Sequence, residues 1–309
     1  MKAILKMTWM HVKLSYRIKI AFFFTFIFPM AFFFLYCGIF AKSDPNGVAI
    51  LMSPLISLSI ISSSLFGLSV QLVVMRERDM LRRYHLAPIT AMQMVTSRLL
   101  GNYLLFIPVV ALQFLLAVWL YHMPLHGSLF GLWLVFTLGY LALGGIGLVV
   151  AGVVNTMQEA QVVNQILFFA LLFLSGSAVP LFALPKVIQH IALFLPPTLM
   201  ILASEGMLVS GQSLGQHFPE LLGLVLTLVA SLGLAVGLFR WEKEEKATTR
   251  GRWQATLAML PLLIVGIWLN HSPRFIAVNQ NTLEGPRHPS AQSEQTAPNT
   301  TSARPLPSR

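Results

Sequence analysis

The sequence has 309 residues, of which 56% are hydrophobic and only 10% are charged. A soluble domain carries about 25% charged residues, so this composition excludes a protein whose whole surface faces water. The net charge of +10 belongs, in a membrane protein, to the loops on the cytoplasmic side. The single cysteine, Cys37, lies in an apolar stretch, which excludes an intramolecular disulfide framework and a cysteine-based metal site.

Six long apolar runs predict six transmembrane helices surrounded by membrane lipid. Each run has roughly the 20 residues that cross about 30 Å of hydrocarbon as an α-helix. The first run is too long for the core of a signal peptide, so we expect it to remain as a span. The predicted fold is an all-α polytopic membrane protein, with a six-span domain over residues 20–240. The runs are Ile20–Phe40, Val48–Met75, Leu99–Tyr121, Gly127–Val154, Ala160–Phe182 and Leu221–Phe239.

The chain continues past the sixth run in two further segments. Residues 241–270 combine a basic cytoplasmic stretch with a shorter apolar run, Gln254–Leu269, which contains Pro261. This run is either a marginal seventh span or a segment lying in the membrane interface. Residues 271–309 are rich in Pro, Ser, Thr, Gln and Asn, which predicts a disordered tail. The tail is external if the seventh run spans the membrane and cytoplasmic if it does not.

The basic residues of the loops predict the orientation of the spans. Residues 1–19, 76–98 and 240–252 carry five Lys or Arg each, whereas the alternate loops carry only Lys42 and Lys186. Because cytoplasmic loops are enriched in Lys and Arg, fifteen against two places the N-terminus in the cytoplasm. Topology thus accounts for the net charge, and no nucleic-acid partner is predicted.

The predicted spans contain no Asp, Glu, Lys or Arg. Ion-coupled carriers usually place such residues within the membrane, and membrane enzymes need a nucleophile, a base or metal ligands. His122 and His126 flank Pro124 in an external loop, but the proline breaks a helix and no third ligand is evident. The chain also lacks a Gly-rich loop ending in Lys-Ser or Lys-Thr. It is therefore predicted to hold no catalytic residue, cofactor or metal, and a partner must supply the energy for transport.

A charged segment, Met75–Gly101, joins the second and third runs. Its apolar and aromatic residues recur at helical spacing beside a line of arginines, which predicts a short amphipathic cytoplasmic helix that ends at Pro88. An ordinary positive loop is the alternative for this segment taken alone. Its candidate site residues are Arg76, Glu77, Arg78, Asp79, Arg82, Arg83, Tyr84 and Pro88.

Two further segments accompany the charged one. Before the sixth run, Leu174–Gly211 contains two stretches that are each too short to cross the bilayer, which predicts re-entrant or interfacial helices on the external side. These stretches are punctuated by Pro180, Pro185, Pro196 and Pro197. In residues 1–19, four cations at helical spacing predict an amphipathic helix on the cytoplasmic interface. These cations are Lys2, Lys6, Lys13 and Arg17.

These three segments, in this order around six spans, resemble the ABC-2 family of transporter permeases. The Arg-Glu-Arg, Leu-Arg-Arg and Ala-Pro steps of Met75–Gly101 are similar to that family's segment between its second and third spans. The Ser-Gly, Pro-Leu, Leu-Pro and Leu-Pro-Pro steps of Leu174–Gly211 are similar to its segment before the sixth span. The resemblance covers residues 1–240. It departs from the family in the extension over residues 240–269, and in the common Glu-x-Gly step, which here reads Glu77-Arg78-Asp79.

The resemblance implies a function and its partners. Two such permeases, identical or different, would pair in a bacterial cytoplasmic membrane, and each would dock a separate cytoplasmic ABC ATPase that binds ATP and Mg²⁺. The segment Arg76–Pro88 would be the coupling element that meets the ATPase. The first, second and fifth spans of both copies would line the path, and the short external helices would cap it. No cofactor is expected in this chain itself.

Small residues in the runs allow two interpretations. Ser59, Ser63 and Gly67 follow one another at four-residue intervals, which either lets helices approach closely or lines a cargo path. Glycines of the fourth and sixth runs, Gly233 and Gly237 among them, are predicted to form packing faces. The apolar spans suggest a lipid-like or amphipathic cargo. The alternatives to an exporter permease are a carrier or channel that works alone, and a membrane-embedded enzyme or assembly factor.

Overall fold

Helices form all of the regular secondary structure in the described part of the chain, as the long apolar runs predict. The computed structural model describes residues 7–8, 19–40, 45–85, 89–125, 127–179, 181, 184–242 and 267, and no strand occurs among them. Six of these helices are long and apolar enough to cross a membrane. The prediction of an all-α polytopic membrane protein with six spans is therefore confirmed.

The spans are numbered here in chain order. They are Lys19–Ile39, Gly47–Glu77, Ala91–Tyr121, Leu129–Val153, Met157–Leu174 and Leu214–Gly237. Three short helices lie between them: the charged helix, Met80–His85, and the first and second cap helices, Lys186–Ala192 and Pro196–Ser210. Because successive spans run in opposite directions, the charged helix lies at one end of the bundle, the charged end. The cap helices lie toward the other end, the cap end.

Several predicted features fall outside the described residues. These are most of the interfacial helix over residues 1–19, Pro88, Pro180, the run Gln254–Leu269 apart from Ile267, and the tail over residues 271–309. Met7 and Thr8 are described as helical and buried. The Thr8 hydroxyl donates to the Ser97 carbonyl oxygen over 3.4 Å, so the N-terminal segment contacts span 3.

The structure corrects the predicted start of span 3. The span begins at Ala91, well before the predicted Leu99. The Thr90 hydroxyl accepts from the Gln93 amide over 3.3 Å, and the Gln93 side chain accepts from the Thr90 amide over 3.1 Å. This capping box satisfies two backbone donors and starts the helix early. Span 3 therefore contains Arg98, and the prediction that the spans hold no charged residue was wrong.

The structure also corrects the predicted end of span 5. The span ends at Leu174 rather than at Phe182. Gly176 follows with a φ of +90°, a conformation that turns the chain out of the helix and that other residues rarely adopt. A Cβ at this position would lie 2.9 Å from Leu181 Cγ. The Ser-Gly step is thus the point where the chain leaves span 5 for the cap helices.

Span 2 lies at the centre of the bundle. In its most apolar stretch 83% of the residues are buried, against 28% in spans 1, 3, 5 and 6. Span 4 packs directly against it, because a Cβ at Gly147 would collide with the Ser64 carbonyl oxygen. The packing face predicted at Gly233 and Gly237 of span 6 is not formed within the described residues, where no atom lies within 4 Å of an added Cβ.

Spans 1 and 2 each contain a wide, π-helical turn. The two turns, Phe23–Ile27 and Ser63–Ser69, lie side by side, and the rings of Phe24 and Phe66 stack with centroids 4.1 Å apart. Such turns displace backbone carbonyls from their regular partners. In an apolar medium those carbonyls need other donors.

Polar side chains of neighbouring spans supply these donors. The Ser62 hydroxyl donates to the Phe24 carbonyl oxygen over 3.0 Å. The Asn164 side-chain amide of span 5 donates to the Leu65 carbonyl oxygen over 2.8 Å. The buried polar side chains thus supply donors to carbonyl oxygens of the wide turns. These hydrogen bonds join spans 1, 2 and 5.

The second cap helix runs along span 4 inside the bundle. Met207 lies against Gly131, and Met200 lies against Gly139. The two glycines are separated by about 12 Å along span 4. The second cap helix therefore lies alongside span 4 over about this length. It meets the first cap helix at an angle of 94°. Span 5 ends and span 6 begins at the cap end. The chain therefore enters and leaves the two cap helices on the same side of the bundle, and the pair does not cross it.

Replacing Gly147 with alanine is expected to destabilise the bundle by about 1–3 kcal/mol, the usual cost of forcing an extra group into a packed interior. The matched Gly233→Ala change adds the same methyl group where it meets no described atom. It should leave stability unchanged or slightly raised, since alanine favours the helix. Thermal unfolding of both variants in detergent checks this. Equal melting temperatures would contradict the packing role of Gly147.

Candidate functional site at the charged end

The charged segment presents some charges outward and buries others. Arg78, Asp79 and Arg82 are exposed, whereas Arg76 is only 3% exposed. Arg82 Nε lies 4.0 Å from Glu242 Oε1, a surface pair that contributes little to stability. An outward set of charges is therefore available at this end of the bundle.

The other predicted residues of this segment have different surroundings. Glu77 and Tyr84 are half-buried. Arg83 lies on the charged helix, with its side chain outside the described part, and Pro88 is not among the described residues. The assignment of these residues to ATPase coupling stays a prediction.

Asp79 makes the turn between span 2 and the charged helix. Its φ of +54° lies in the left-handed region, which glycine adopts freely and Asp tolerates better than most residues. The Asp79 amide donates to the Arg76 carbonyl oxygen over 3.1 Å and closes the end of span 2. Asp79 occupies the position of the glycine in the Glu-x-Gly step, so this backbone conformation gives a physical reason for a glycine there.

Two arginines from distant parts of the chain bind the loop between spans 4 and 5. Arg76, at the end of span 2, donates to the Ala151 carbonyl oxygen over 2.9 Å and also to the Val154 carbonyl oxygen. Arg240, just beyond span 6, donates to the same Val154 oxygen over 2.7 Å and to the Asn155 side-chain oxygen over 2.9 Å. We call Arg76, Arg240 and the loop residues Val154 and Asn155 the arginine clasp. The clasp ties the ends of spans 2, 4 and 6 to the start of span 5.

The burial of the clasp makes it resistant to opening. Arg76 and Arg240 are 3% and 7% exposed. Hydrogen bonds that involve a charged group contribute about 1.5–3 kcal/mol each. A buried guanidinium that lost its acceptors would in addition carry the cost of an uncompensated charge. The four helix ends are therefore expected to move together rather than one at a time.

Span 5 begins within this arrangement. The Glu77 carboxylate accepts from the Met157 amide over 2.8 Å. The Thr156 hydroxyl accepts from the Glu159 amide over 3.2 Å, and the Glu159 carboxylate accepts from the Asn155 amide over 2.7 Å. The first turn of a helix has amides without partners in the helix and favours negative charge. A displacement of Glu77 would therefore act directly on the first turn of span 5.

The small residues of span 2 lie inside the bundle. Ser59 accepts from the Gln113 side-chain amide over 3.1 Å, and the Asn102 side-chain amide lies 3.4 Å from the Ser63 hydroxyl. A Cβ at Gly67 would lie 2.6 Å from a side-chain oxygen of span 1. Within one chain these residues pack spans together. A path-lining role in an assembled transporter stays a prediction.

Sequence reasoning missed the amides that partner these serines. Asn102, Gln113 and Asn164 are each buried within an apolar span. Polar residues inside a membrane segment are expensive and usually face a partner in the bundle. Their position in otherwise apolar runs was the signal that could have found them.

Hydroxyl groups hold the cap helices in place. The Thr198 hydroxyl of the second cap helix donates to the Ser175 carbonyl oxygen over 3.0 Å. The hydroxyls of Ser57 and Ser177 lie 2.9 Å apart. Span 2, the end of span 5 and the second cap helix are joined in this way. Three of the predicted prolines mark starts of the cap helices, Pro185 before the first and Pro196 and Pro197 in the first turn of the second.

A comparison with known proteins decides the family. Residues 41–236, well over half of the chain, match the family model described as ABC-2 family transporter protein. The chain belongs to the ABC-2 family. The predicted resemblance is thereby confirmed. The matched region contains the charged helix, the loop of the arginine clasp and both cap helices of this ABC-2 protein.

Curated relatives of this ABC-2 protein include two bacterial permeases. They are the probable multidrug ABC transporter permease YbhS of Escherichia coli strain K12 and the protein of the same name in Escherichia coli O157:H7. Each is 26% identical over 194 residues, which cover 62% of this chain and 50% of the relative. The chain spans about half the length of the curated relatives it matches.

Arg98 is a charged residue of this ABC-2 protein that sequence reasoning placed outside a span and that lies well inside span 3. It is 1% exposed, and its three guanidinium nitrogens have no hydrogen-bond partner in the described part of the chain. It lies about 10 Å along span 3 from the charged end. The signal that could have found it is the Thr90-x-x-Gln93 pattern, which predicts a helix that starts before Arg98.

Asp79→Gly is expected to preserve or slightly raise thermal stability, because glycine adopts a positive φ without steric cost. Asp79→Val should lower stability by about 1–2 kcal/mol, since the left-handed conformation crowds a side chain. Thermal unfolding in detergent measures both changes. Arg78→Val is the control, because Arg78 has a φ of −88° and accepts any side chain. A larger loss for Asp79→Gly than for Asp79→Val would contradict the conformational role.

Arg98→Met is expected to raise the melting temperature of the isolated permease. The change replaces a buried charge, unpaired within the described residues, by an apolar side chain of similar length. Arg82→Met is the control, because the Arg82 side chain is 69% exposed and its loss should change stability little. A lower melting temperature for Arg98→Met would show that the guanidinium is stabilised by a partner in the folded protein.

Proposed function

We propose that this ABC-2 protein is the membrane-spanning permease of an ATP-driven exporter. It pairs with a second permease subunit, and each subunit docks a separate cytoplasmic ABC ATPase that binds ATP and Mg²⁺. The observation that carries the proposal is the charged segment, which presents Arg78, Asp79 and Arg82 outward. At its base Arg76 and Glu77 are bonded into the bundle. A surface that is both charged and firmly anchored suits the transfer of force from a docked protein.

The charged end faces the cytoplasm in this proposal. Support comes from the distribution of basic residues, fifteen of which lie in the three segments at this end against two in the alternate loops. The N-terminus is then cytoplasmic and the cap helices are external. Membership of the family supports the cytoplasmic membrane of a bacterium as the location.

Force applied to the charged helix would reach the spans through the arginine clasp. The charged helix follows the end of span 2 by a single turn at Asp79. Arg76 then acts on the loop between spans 4 and 5, and Glu77 acts on the first turn of span 5. The permease needs no catalytic group for this role, because ATP hydrolysis in the partner supplies the free energy.

The second permease subunit would pair along spans 1 and 5. Large apolar side chains on both spans are exposed in the single chain. They include Leu35 and Ile39 of span 1 and Val162 and Ile166 of span 5. Packing against an identical or a different permease would cover this surface and place spans 1, 2 and 5 of the two subunits around a shared path.

The residues near that path favour an amphipathic or lipid-like cargo. Phe34 of span 1 and Phe169 of span 5 are each 47% exposed, so aromatic side chains are available on both of the spans proposed to pair. Apolar and aromatic walls bind hydrophobic groups rather than ions. The name of the relative YbhS assigns multidrug transport to that protein, and a hydrophobic cargo for the present chain is in line with it.

The test is co-purification of an ATPase with the tagged permease in mild detergent, followed by a measurement of ATP hydrolysis. A double variant, Arg78→Glu with Arg82→Glu, is expected to lose the ATPase because both charges lie on the exposed face. Lys186→Glu is the matched control, since it reverses an exposed charge on the first cap helix. Arg76→Gln should retain the ATPase but lose export of a fluorescent amphipathic dye, because the clasp transmits movement and does not dock the partner.

Two results would contradict this proposal. Retention of the ATPase by the double variant would show that the charged helix is not the docking surface. If the well-folded wild type brings down no ATPase and moves the dye alone in liposomes, the exporter assignment is replaced by a carrier that works by itself.

A further inference from the structure

An apolar groove opens on the membrane-facing side of spans 3 and 4. It has a volume of about 180 Å³. Its side chains come from both spans and are almost all apolar or aromatic, and they include Phe106, Val110, Phe114, Leu132, Trp133 and Phe136. Trp133 is 53% exposed, so the groove opens on the outer surface of the bundle rather than being sealed inside the protein.

The two hydroxyl groups in the groove are already engaged with each other. The Tyr103 hydroxyl lies 2.6 Å from Thr137 Oγ1, and the Thr137 hydroxyl donates to the Trp133 carbonyl oxygen over 2.7 Å. With the Thr137 proton used in this way, Tyr103 is the donor of the shorter bond. No hydroxyl proton remains for a ligand, and no charged side chain is among the described residues that line the groove. The groove therefore suits an apolar occupant.

The groove matches one half of the bilayer in depth and length. Along span 3 it extends from Tyr103 to Phe114, about 16 Å, and along span 4 from Thr137 to Leu129, about 12 Å. Half of a hydrocarbon core of about 30 Å is about 15 Å. Leu129 is the first residue of span 4, so on that span the groove takes up about 12 Å counted from the cap end. The groove therefore occupies the half of the membrane nearer the cap end.

We propose that this groove is a lipid site that holds one acyl chain of a phospholipid from the leaflet at the cap end. The polar headgroup of the lipid then lies beyond Leu129, near the start of span 4. It lies outside the groove and forms no hydrogen bond with the residues that line it. Water is excluded as the occupant, because an apolar cavity of about 150 Å³ stays dry and takes up apolar molecules instead. The site requires only that spans 3 and 4 cross the membrane, so it does not depend on the proposed ATPase.

The experiment uses a phospholipid with a photoactivatable diazirine in its acyl chain, reconstituted with the full-length permease alone in nanodiscs. Illumination is expected to label peptides of spans 3 and 4 around Val110 and Trp133. Ala111→Trp fills the groove from span 3 and should abolish this labelling. Leu115→Trp is the matched control on the same span, since Leu115 is 63% exposed and does not line the groove. It should label as the wild type does.

A second variant that fills the groove tests whether loss of labelling in Ala111→Trp results from misfolding. Ile107→Trp changes another groove residue, one that is 38% exposed, and it should also abolish labelling while the protein elutes as a single species. The lipid site is overturned if label spreads equally over the exposed faces of spans 1 and 5. It is also overturned if both filling variants label like the wild type.

Discussion

The hydrogen bonds that Arg76 donates to the Ala151 and Val154 carbonyl oxygens set the geometry of the charged end. Arg76 lies in the last turn of span 2, the most enclosed of the six spans, and its side chain anchors that end of the helix. The same carbonyl of Val154 accepts from Arg240, which brings the residues after span 6 to the same point. Because a buried guanidinium without acceptors is costly, these helix ends are held in one arrangement. The turn at Asp79 and the charged helix follow directly after this anchored end of span 2.

The same need for partners organises the interior of the bundle. Within hydrocarbon, a backbone carbonyl that leaves its helical partner must find another donor. The wide turns of spans 1 and 2 release such carbonyls, and Ser62 and Asn164 meet them from nearby. Spans 2 and 4 thus form a core of close contacts, with glycine where the backbones meet. Spans 1, 3 and 5 keep exposed apolar side chains on their outer surfaces.

The sequence was sufficient for the features that depend on composition. Run length predicted six spans, and the mixture of Arg with apolar residues predicted the charged helix. Hydropathy failed at the start of span 3, because Thr90 and Gln93 begin that helix by hydrogen bonding within a polar stretch. It failed at the end of span 5, because the apolar run continues after Gly176 has turned the chain. Hydropathy also could not predict that Arg76 is buried while Arg78 is exposed, because both belong to one charged run. The difference arises from the end of span 4 and the loop after it, whose carbonyl oxygens accept the hydrogen bonds that Arg76 donates.

The enclosure of span 2 has a consequence for the biogenesis of the protein. Membrane helices insert first and pack against one another afterwards. Span 2 is synthesised second, yet its neighbours include span 4, the second cap helix and the Asn164 side chain of span 5, all of which are made later. The Ser62 and Ser59 hydroxyls find their partners in spans 1 and 3, through the Phe24 carbonyl oxygen and the Gln113 side-chain amide. The Leu65 carbonyl oxygen gains its Asn164 donor only when span 5 has been made, so a chain stalled before span 5 would leave that carbonyl without this partner inside the membrane.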